Sequence, residues 1–311
     1  MLASSFQLTD DFAPVTYEQW RELVEADLKG VPFDKKLLTR LYEGITLQPI
    51  YTERDWSGSG DPNGFPGSPP FVRGNEPLRQ SWLVCQAQSH PDPATANAEL
   101  LKDLELGANA LELRLDRAAR LGADGDSAEA GVGGVMIDSL ESLKKTLSGV
   151  RVDAAPVSLL AGPAFLPSAA LLAAFIRQSG GAGAKGSFGA DPLGALAADG
   201  KVAGSTDEAL RQLGALASWV EAKLPSMTTA LVNTAPYHDA GATSVQDLAL
   251  ALATGVAYLR AMTAAGLSID AACRQVTFRF SVGTHFFRAI AKLRAARRLW
   301  ARVAESCSAS E

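Results

Sequence analysis

The chain has 311 residues, of which 47% are hydrophobic and 20% are charged, and its formal net charge is −5 at pH 7. This balance is that of a globular protein and excludes a largely disordered chain. The negative net charge, without a Lys- or Arg-rich block before the last predicted helix, argues against a nucleic-acid partner. The apolar runs are shorter than the roughly 20 residues that span a bilayer, and the N-terminus carries no positive charge ahead of an apolar run. We therefore expect no transmembrane helix, no membrane partner and no signal peptide.

Cysteine and histidine usage argues against a metal or disulfide protein. Three residues of each type are spread along the chain: Cys85, Cys273, Cys307, His90, His238 and His285. Their spacings match neither a disulfide framework nor a zinc site. We expect no bound metal and a reducing, cytoplasmic location.

Residues 1–79 are predicted to form an extended N-terminal arm. Thr16 and Gln19 have the spacing of a capping box, at the start of a helix that stops at Gly30. The later segment SGSGDPNGFPGSPPFVRGNEP is dense in Gly and Pro, which excludes regular helix or strand. We expect this segment to wrap over another surface.

Residues 80–311 alternate between strand and helix patterns. The predicted strands, each followed by a helical segment, are SWLVCQ, NALELRL, PVSLLA, GAKGSFG, MTTALVN and QVTFRFSV. Apolar strands separated by helices are typical of a parallel sheet that is buried on both faces. The leading interpretation is an α/β protein with a TIM-type (β/α)8 barrel, and an open doubly wound sheet is the alternative. A closed barrel needs eight units, so we expect an incomplete barrel of about six β/α units, as in a fragment of a longer polypeptide.

The Gly-rich stretch GVGGVMIDSL, residues 131–140, precedes a predicted helix. It matches neither GxGxxG with a suitable acidic residue nor GxxxxGK[ST]. A plain loop, with Asp138 near the helix start, is therefore favoured over a phosphate-binding loop.

Tyr237 and His238 follow the predicted strand MTTALVN directly. In a β/α barrel the C-terminal ends of the strands form the mouth where chemistry takes place. His238 there is equally compatible with a general acid, or donor to a carbonyl, and with a histidine that only bonds loop backbone.

His285 and His90 also follow predicted strands, and for both a structural role is favoured. The neighbouring Phe286 and Phe287 favour packing around His285. The residues after His90, Pro91-Asp92-Pro93, favour a turn.

Several separated stretches resemble the methylmalonyl-CoA mutase family. They are LVEADLKGVPFDKKLLTRLYEGITLQPIYTERD, PGSPPFVRG, GVGGVMIDSLESL, YHDAGATSVQDLALALATGVAYL and FRFSVGTHFFRAIAKLRAARRLWARV, in the family's order. The resemblance implies an N-terminal arm, a (β/α)8 barrel that encloses acyl-CoA with its pantetheine chain along the axis, and a separate cobalamin-binding domain. The implied reaction is the radical interconversion of methylmalonyl-CoA and succinyl-CoA, for which the corrin cofactor supplies the radical.

The chain departs from the catalytic pattern of this family. In the WxIRQYxGF-like strand, Gln86 is kept as a weak substrate-binding candidate, whereas Cys85 stands at the Arg position and Ala87 at the Tyr position. In the GTIQND-like strand, Gly189 stands at the substrate-contacting Gln position. Tyr237 and His238 match the family's catalytic pair and are kept as remnant candidates, His238 also as a weak substrate-binding one.

The cobalamin signature DxHxxG does not occur in the sequence, which indicates that this chain has no cobalamin-binding domain and binds no cofactor. These departures, with HPDPATANAEL and GSFGADPLG, resemble the small, non-catalytic subunit of the family. The resemblance implies a heterodimer with the catalytic large subunit, the assembled enzyme containing adenosylcobalamin. The alternative is an acyl-CoA-binding mutase chain that works with a separate cobalamin-binding protein, which Tyr237 and His238 motivate.

Overall fold

The structure is a computed structural model, and it describes residues 13–56, 58, 61, 63–78, 81–181, 183–202 and 204–310. The chain divides into two compact units, Met1–Pro62 and Asn63–Glu311. The sequence predicts a division after residue 79, whereas residues 63–78 group with the second unit in the structure. In the described residues no helix is both long and apolar enough to cross a membrane.

The first unit contains short elements around one longer helix. These are α1 (Tyr17–Asp27), α2 (Phe33–Leu37), the antiparallel strands β1 (Thr39–Arg40) and β2 (Thr46–Leu47), and a 3-10 helix (Glu53–Asp55). The predicted capping box is confirmed: the Thr16 hydroxyl accepts from the Gln19 amide at 3.2 Å, and the Gln19 side chain accepts from the Thr16 amide at 2.9 Å. Trp20 packs edge-on against Phe33, with ring centroids 6.2 Å apart.

The second unit is built on a six-stranded sheet in which every neighbouring pair is parallel. The strands are β3 (Cys85–Gln88), β4 (Ala110–Arg114), β5 (Val157–Leu160), β6 (Gly186–Ala190), β7 (Met227–Asn233) and β8 (Val276–Arg279). Their order in the sheet is their order in the chain. A doubly wound sheet reverses its strand order part-way, so this sheet is not doubly wound and matches consecutive strands of a barrel. Within the described residues β3 and β8 each pair with one neighbour only.

Ten helices in the described part connect and cover these strands. They are α3 (Pro93–Glu105), α4 (Arg117–Leu121), α5 (Leu140–Thr146), α6 (Phe165–Gln178), α7 (Pro192–Asp199), α8 (Thr206–Lys223), α9 (Ala235–Asp239), α10 (Ser244–Ala264), α11 (Ile269–Arg274) and α12 (Phe286–Ser306). The predicted helices are confirmed, and α4, α7, α9 and α11 were not predicted. Each of the four has eight residues or fewer, which is too short for a clear helical periodicity.

The core lies between the sheet and the helices. Leu111 and Leu113 of β4, Phe165 of α6 and Tyr258 of α10 are almost fully buried there. The opposite face of the sheet is different, because Glu112 of β4 and its neighbours are only half-buried. The prediction that both faces are buried is therefore confirmed for β6 and β7, in which most residues on both faces are buried, and is wrong for β3, β4, β5 and β8, which have half-buried or exposed residues.

The sheet is strongly curved. Arg279 of β8 donates to Glu112 of β4 at 2.7 Å, although three strands separate β4 from β8. In a flat sheet these strands would lie about 19 Å apart, farther than the two side chains can reach. In the strand register, Glu112 pairs with Ser158 and Ser158 with Ser187, and the same row continues to residues just before β8. Arg279 lies at the other end of β8, so the residue that meets Glu112 is several positions out of register with it. Such a stagger is that of tilted strands wrapping toward a barrel.

A buried ion pair joins α12 to α10. The Lys292 ammonium donates to Asp247 at 2.6 Å, and the two side chains are 4% and 1% exposed. The ammonium also donates to the carbonyl oxygen of Ser281 at 2.6 Å, just after β8. The Lys292 ammonium therefore connects α12 to α10 and to the segment that follows β8.

We expect Lys292→Met to lower the free energy of unfolding by about 3–5 kcal/mol, because it leaves the Asp247 carboxylate buried without a counter-charge. Adding Asp247→Leu should restore part of that loss. Lys144, which pairs with Glu141 at the surface, is the control, and Lys144→Met should cost less than about 1 kcal/mol. Urea unfolding followed by circular dichroism measures all three, and equal losses for the two single variants would contradict this expectation.

Candidate functional site

The inner face of the curved sheet lines a partly open cavity of about 300 Å³. All six strands contribute to its wall, through Cys85, Ala87, Glu112, Ser158, Ser187 and Arg279 among others. Half of the lining side chains are small and three carry hydroxyl groups, whereas Leu159, Leu231 and Phe278 make much of the wall apolar. The Glu112–Arg279 ion pair is the charged feature of this mostly apolar wall.

A titratable group of the cavity wall with a shifted pKa is the Cys85 thiol. Burial raises the pKa of the Cys85 thiol, the nearby Glu112 carboxylate raises it further, and the Arg279 guanidinium acts in the opposite direction. A thiol with a raised pKa is a poor nucleophile near neutral pH. Cys85 is therefore not an activated nucleophile, but as a free and exposed thiol it still reacts slowly with alkylating reagents.

Tyr237 and His238 lie together in α9, the short helix directly after β7. Both side chains are half-buried. Burial raises the pKa of Tyr237, a hydrogen bond between its side chain and Thr254 lowers it, and the Asp191 carboxylate raises it. The Tyr237 side chain is thus hydrogen-bonded to Thr254 of α10. In the described residues no hydrogen bond of the His238 side chain is seen, so both interpretations of His238 remain predictions.

Asp191, which the sequence did not mark as a site residue, connects the elements at the carboxyl ends of β6 and β7. It follows β6, and its side chain accepts from the Gly194 amide at 3.0 Å, from the Tyr258 hydroxyl at 2.5 Å and from the Asn233 amide at 3.2 Å. The contacts join the end of β6, the start of α7, the middle of α10 and the end of β7. Burial raises the pKa of Asp191 to about 6 despite these hydrogen bonds. The signal in the sequence was the segment Asp191-Pro192, which is a typical helix start.

Gln86, the predicted weak substrate-binding residue, is exposed in β3. Because Cys85 and Ala87 line the cavity, strand alternation places Gln86 on the other face, with Gln88. Gln88 is buried there and donates to Glu99 of α3 at 2.8 Å. The structure therefore brings Tyr237 and His238 together but does not bring Gln86 to them.

Gly189 cannot carry a side chain in this backbone. Its φ is +65°, and a Cβ built on it would lie 1.8 Å from the carbonyl oxygen of Leu159 in β5. The strand register is irregular at this point, between Ser187 and Ala190. Position 189 is therefore a close approach of β6 to β5, and not only a missing polar group.

The other two histidines also follow strands of the sheet, His90 after β3 and His285 after β8. The Nδ1 atom of His90 accepts from the Asp92 amide at 3.2 Å, which is the predicted turn. His285 precedes α12, and the predicted packing of its neighbours is wrong: Phe286 is 67% exposed and Phe287 83%. The Gly-rich loop is held by buried Asp116, which accepts from the Gly131 amide at 2.7 Å, and this supports its assignment as a plain loop.

Comparison with known proteins gives one consistent answer. A sequence model of the family described as Methylmalonyl-CoA mutase matches residues 40–311. The chain belongs to the methylmalonyl-CoA mutase family. The methylmalonyl-CoA mutase small subunit of Streptomyces virginiae is 38% identical over 96% of this chain and 46% of the relative.

Two further relatives are less similar. The large subunit of the same enzyme from Streptomyces virginiae is 30% identical, over 92% of this chain and 40% of the relative. The methylmalonyl-CoA mutase of Rhizobium meliloti is 31% identical, over 93% of this chain and 41% of the relative. The chain thus spans less than half the length of these relatives.

We expect Gly189→Ala to destabilise the protein far more than Gly200→Ala. Gly200 has nearly the same backbone, with φ +67°, but nothing lies within 4 Å of the position that a Cβ would take there. Gly200→Ala should therefore lower the free energy of unfolding by only about 1–2 kcal/mol, which is the cost of a non-glycine residue in the left-handed conformation. Gly189→Ala adds a backbone clash, and thermal unfolding of both variants measures the difference. Equal losses would contradict the close approach of β6 and β5.

We expect the stability of the protein to fall as the pH rises from about 4 to 7 through the titration of Asp191. Its pKa is raised to about 6 in the folded state, so its contribution is fully present below the unfolded value and is lost as the pH rises through 6. Asp191→Asn should remove this part of the pH dependence, whereas Asp239→Asn, at an exposed position, should keep it. Urea unfolding at several pH values measures it, and parallel profiles for wild type and Asp191→Asn would contradict it.

Proposed function

We propose that this chain is part of a small, non-catalytic subunit of an adenosylcobalamin-dependent methylmalonyl-CoA mutase. Its role is to bind and stabilise the catalytic large subunit in a heterodimer. The assembled enzyme interconverts methylmalonyl-CoA and succinyl-CoA, and this chain alone has no turnover. The observation that carries the proposal is that this chain lacks catalytic side chains at three sheet positions, 85, 87 and 189, to which the resemblance assigns them.

Those positions lack the groups that would handle a substrate. Cys85 and Ala87 line the cavity, where the resemblance implies an arginine and a radical-shielding tyrosine. Gly189 stands where it implies a glutamine, and its backbone leaves no room for a side chain. Loss of groups that stabilise a transition state costs several kcal/mol each in an enzyme, so their joint absence favours an inactive chain.

The comparisons favour the small-subunit assignment over the catalytic one. The chain is 38% identical to the small subunit of Streptomyces virginiae and 30% identical to the large subunit of the same organism. A shared family by itself does not show a shared activity, because activity depends on the site. The site positions and the identities point the same way.

We propose that adenosylcobalamin is bound in the assembled enzyme. The Nδ1 atom of His90 accepts from the Asp92 amide within its own turn, His285 is exposed at the start of α12, and His238 lies in α9 beside Tyr237. No step through cobalamin is assigned to residues of this chain.

The second candidate function is that of an acyl-CoA-binding chain that works with a separate cobalamin-binding protein. The observation in its favour is that α9 places Tyr237 and His238 directly after β7, a strand that contributes to the cavity. This function predicts heat of binding when methylmalonyl-CoA is titrated into the chain, and weaker binding by His238→Ala. The non-catalytic proposal predicts no heat for either protein.

We expect this chain and the large subunit of the same organism to form a complex with one copy of each. Size exclusion with light scattering measures its mass, and a methylmalonyl-CoA turnover assay on the chain alone measures activity. The expected results are a one-to-one complex and no turnover without the large subunit. Turnover by the isolated chain, or the absence of a complex, would contradict the proposal.

A further inference from the structure

The Glu112–Arg279 ion pair lines the cavity and reaches across it from β4 to β8. Its two residues lie on strands that approach from opposite sides of the curved sheet, and their side chains meet at 2.7 Å. The cavity of about 300 Å³ that they share is at the lower end of the range of ligand pockets, roughly 300–1,000 Å³. A ligand that runs through this space has to displace the pair.

The pair lies beside one of the substituted positions. Ala87 of β3 is the direct register partner of Glu112, and both line the cavity. An aromatic side chain at position 87 would compete for the space next to the Glu112 carboxylate. The alanine leaves that space to the ion pair.

Displacing the pair is unfavourable for a neutral ligand. The Glu112 side chain is only 13% exposed, and its second carboxylate oxygen, Oε1, is buried without a hydrogen-bond partner in the described residues. Removing Arg279 from it would leave a mostly buried carboxylate without a counter-charge. The neutral amide chain that links the thioester to the nucleotide in an acyl-CoA brings no cation to replace the guanidinium.

We propose that the Glu112–Arg279 pair is a bar across the cavity that keeps extended acyl thioesters out of this chain. The inference rests on the proposed function, and it names the residues that make this member of the family unable to take up acyl-CoA. Glu112 and Arg279 are thus specificity-determining residues that act by exclusion.

The test uses Cys85, which lines the same cavity, as a local reporter. Alkylation of Cys85 by iodoacetamide is followed by mass spectrometry on the full chain, with and without propionyl-CoA. The tested protein is Glu112→Ser/Arg279→Thr, which replaces the pair by the residue types of Ser158 and Thr277. The matched control is Glu221→Ser/Arg274→Thr, which removes an ion pair of 3.0 Å between α8 and α11. Cys273 and Cys307 serve as internal references.

We expect propionyl-CoA to leave Cys85 alkylation unchanged in wild type and in the control variant. In Glu112→Ser/Arg279→Thr, propionyl-CoA should slow the alkylation of Cys85 about tenfold. This factor applies when the concentration of propionyl-CoA is about ten times its dissociation constant, because about one protein molecule in ten is then free. Protection of Cys85 in wild type would overturn the proposal, and so would the lack of protection in a folded double variant. If the double variant does not fold, Glu112→Gln keeps the size of the side chain and removes its charge, and the absence of any protection there also overturns the proposal. None of these outcomes depends on turnover or on a complex with the large subunit, so failure here is distinct from failure of the proposed function.

Discussion

The carboxylate of Glu112 and the guanidinium of Arg279 meet across the inner face of the sheet, although three strands lie between their own. This contact requires a sheet that is bent and staggered, because flat strands would hold the two residues too far apart. The same bend forms the cavity and turns Ala87 and Ser187 toward a common space. The shape of the site and its main electrostatic feature therefore have one origin.

Around this contact the substituted positions form a consistent set. Ala87 leaves room beside Glu112, and Gly189 lets β6 approach the backbone of β5 too closely for any side chain. An aromatic side chain at position 87 would meet the ion pair, and any side chain at position 189 would meet the backbone of β5. The departures from the catalytic pattern are therefore built into the packing of the strands, which is what a role other than catalysis would allow.

The carboxyl edge of the sheet is nevertheless well ordered. Asp191 collects hydrogen bonds from the end of β7, the start of α7 and Tyr258 of α10, and α9 with Tyr237 and His238 follows directly. A buried carboxyl group with three donors holds these elements in one arrangement. Asp191 thus fixes the arrangement of the elements at the carboxyl edge, whereas Glu112 and Arg279 place the charges in the wall of the cavity.

Strand and helix patterns predicted the six β/α units, the capping box at Thr16 and the family, because these depend on local periodicity and on short motifs. In β3 the sequence did not indicate which face each residue takes. In SWLVCQAQ polar and apolar residues do not alternate clearly, so the orientation of Gln86 and Ala87 had to come from the structure. Glu112 lies inside NALELRL, where Leu and charged residues do alternate, and this pattern was the signal of a polar inner face. Its partner Arg279 is distant in sequence, and such pairs depend on the curvature of the whole sheet.

The central claim is that this chain contributes no acyl-CoA site to the assembled enzyme. Equilibrium binding of radiolabelled succinyl-CoA to the purified complex with the large subunit tests this most directly, because it counts sites. We predict one molecule of succinyl-CoA bound for each pair of subunits. Two molecules for each pair would contradict the claim.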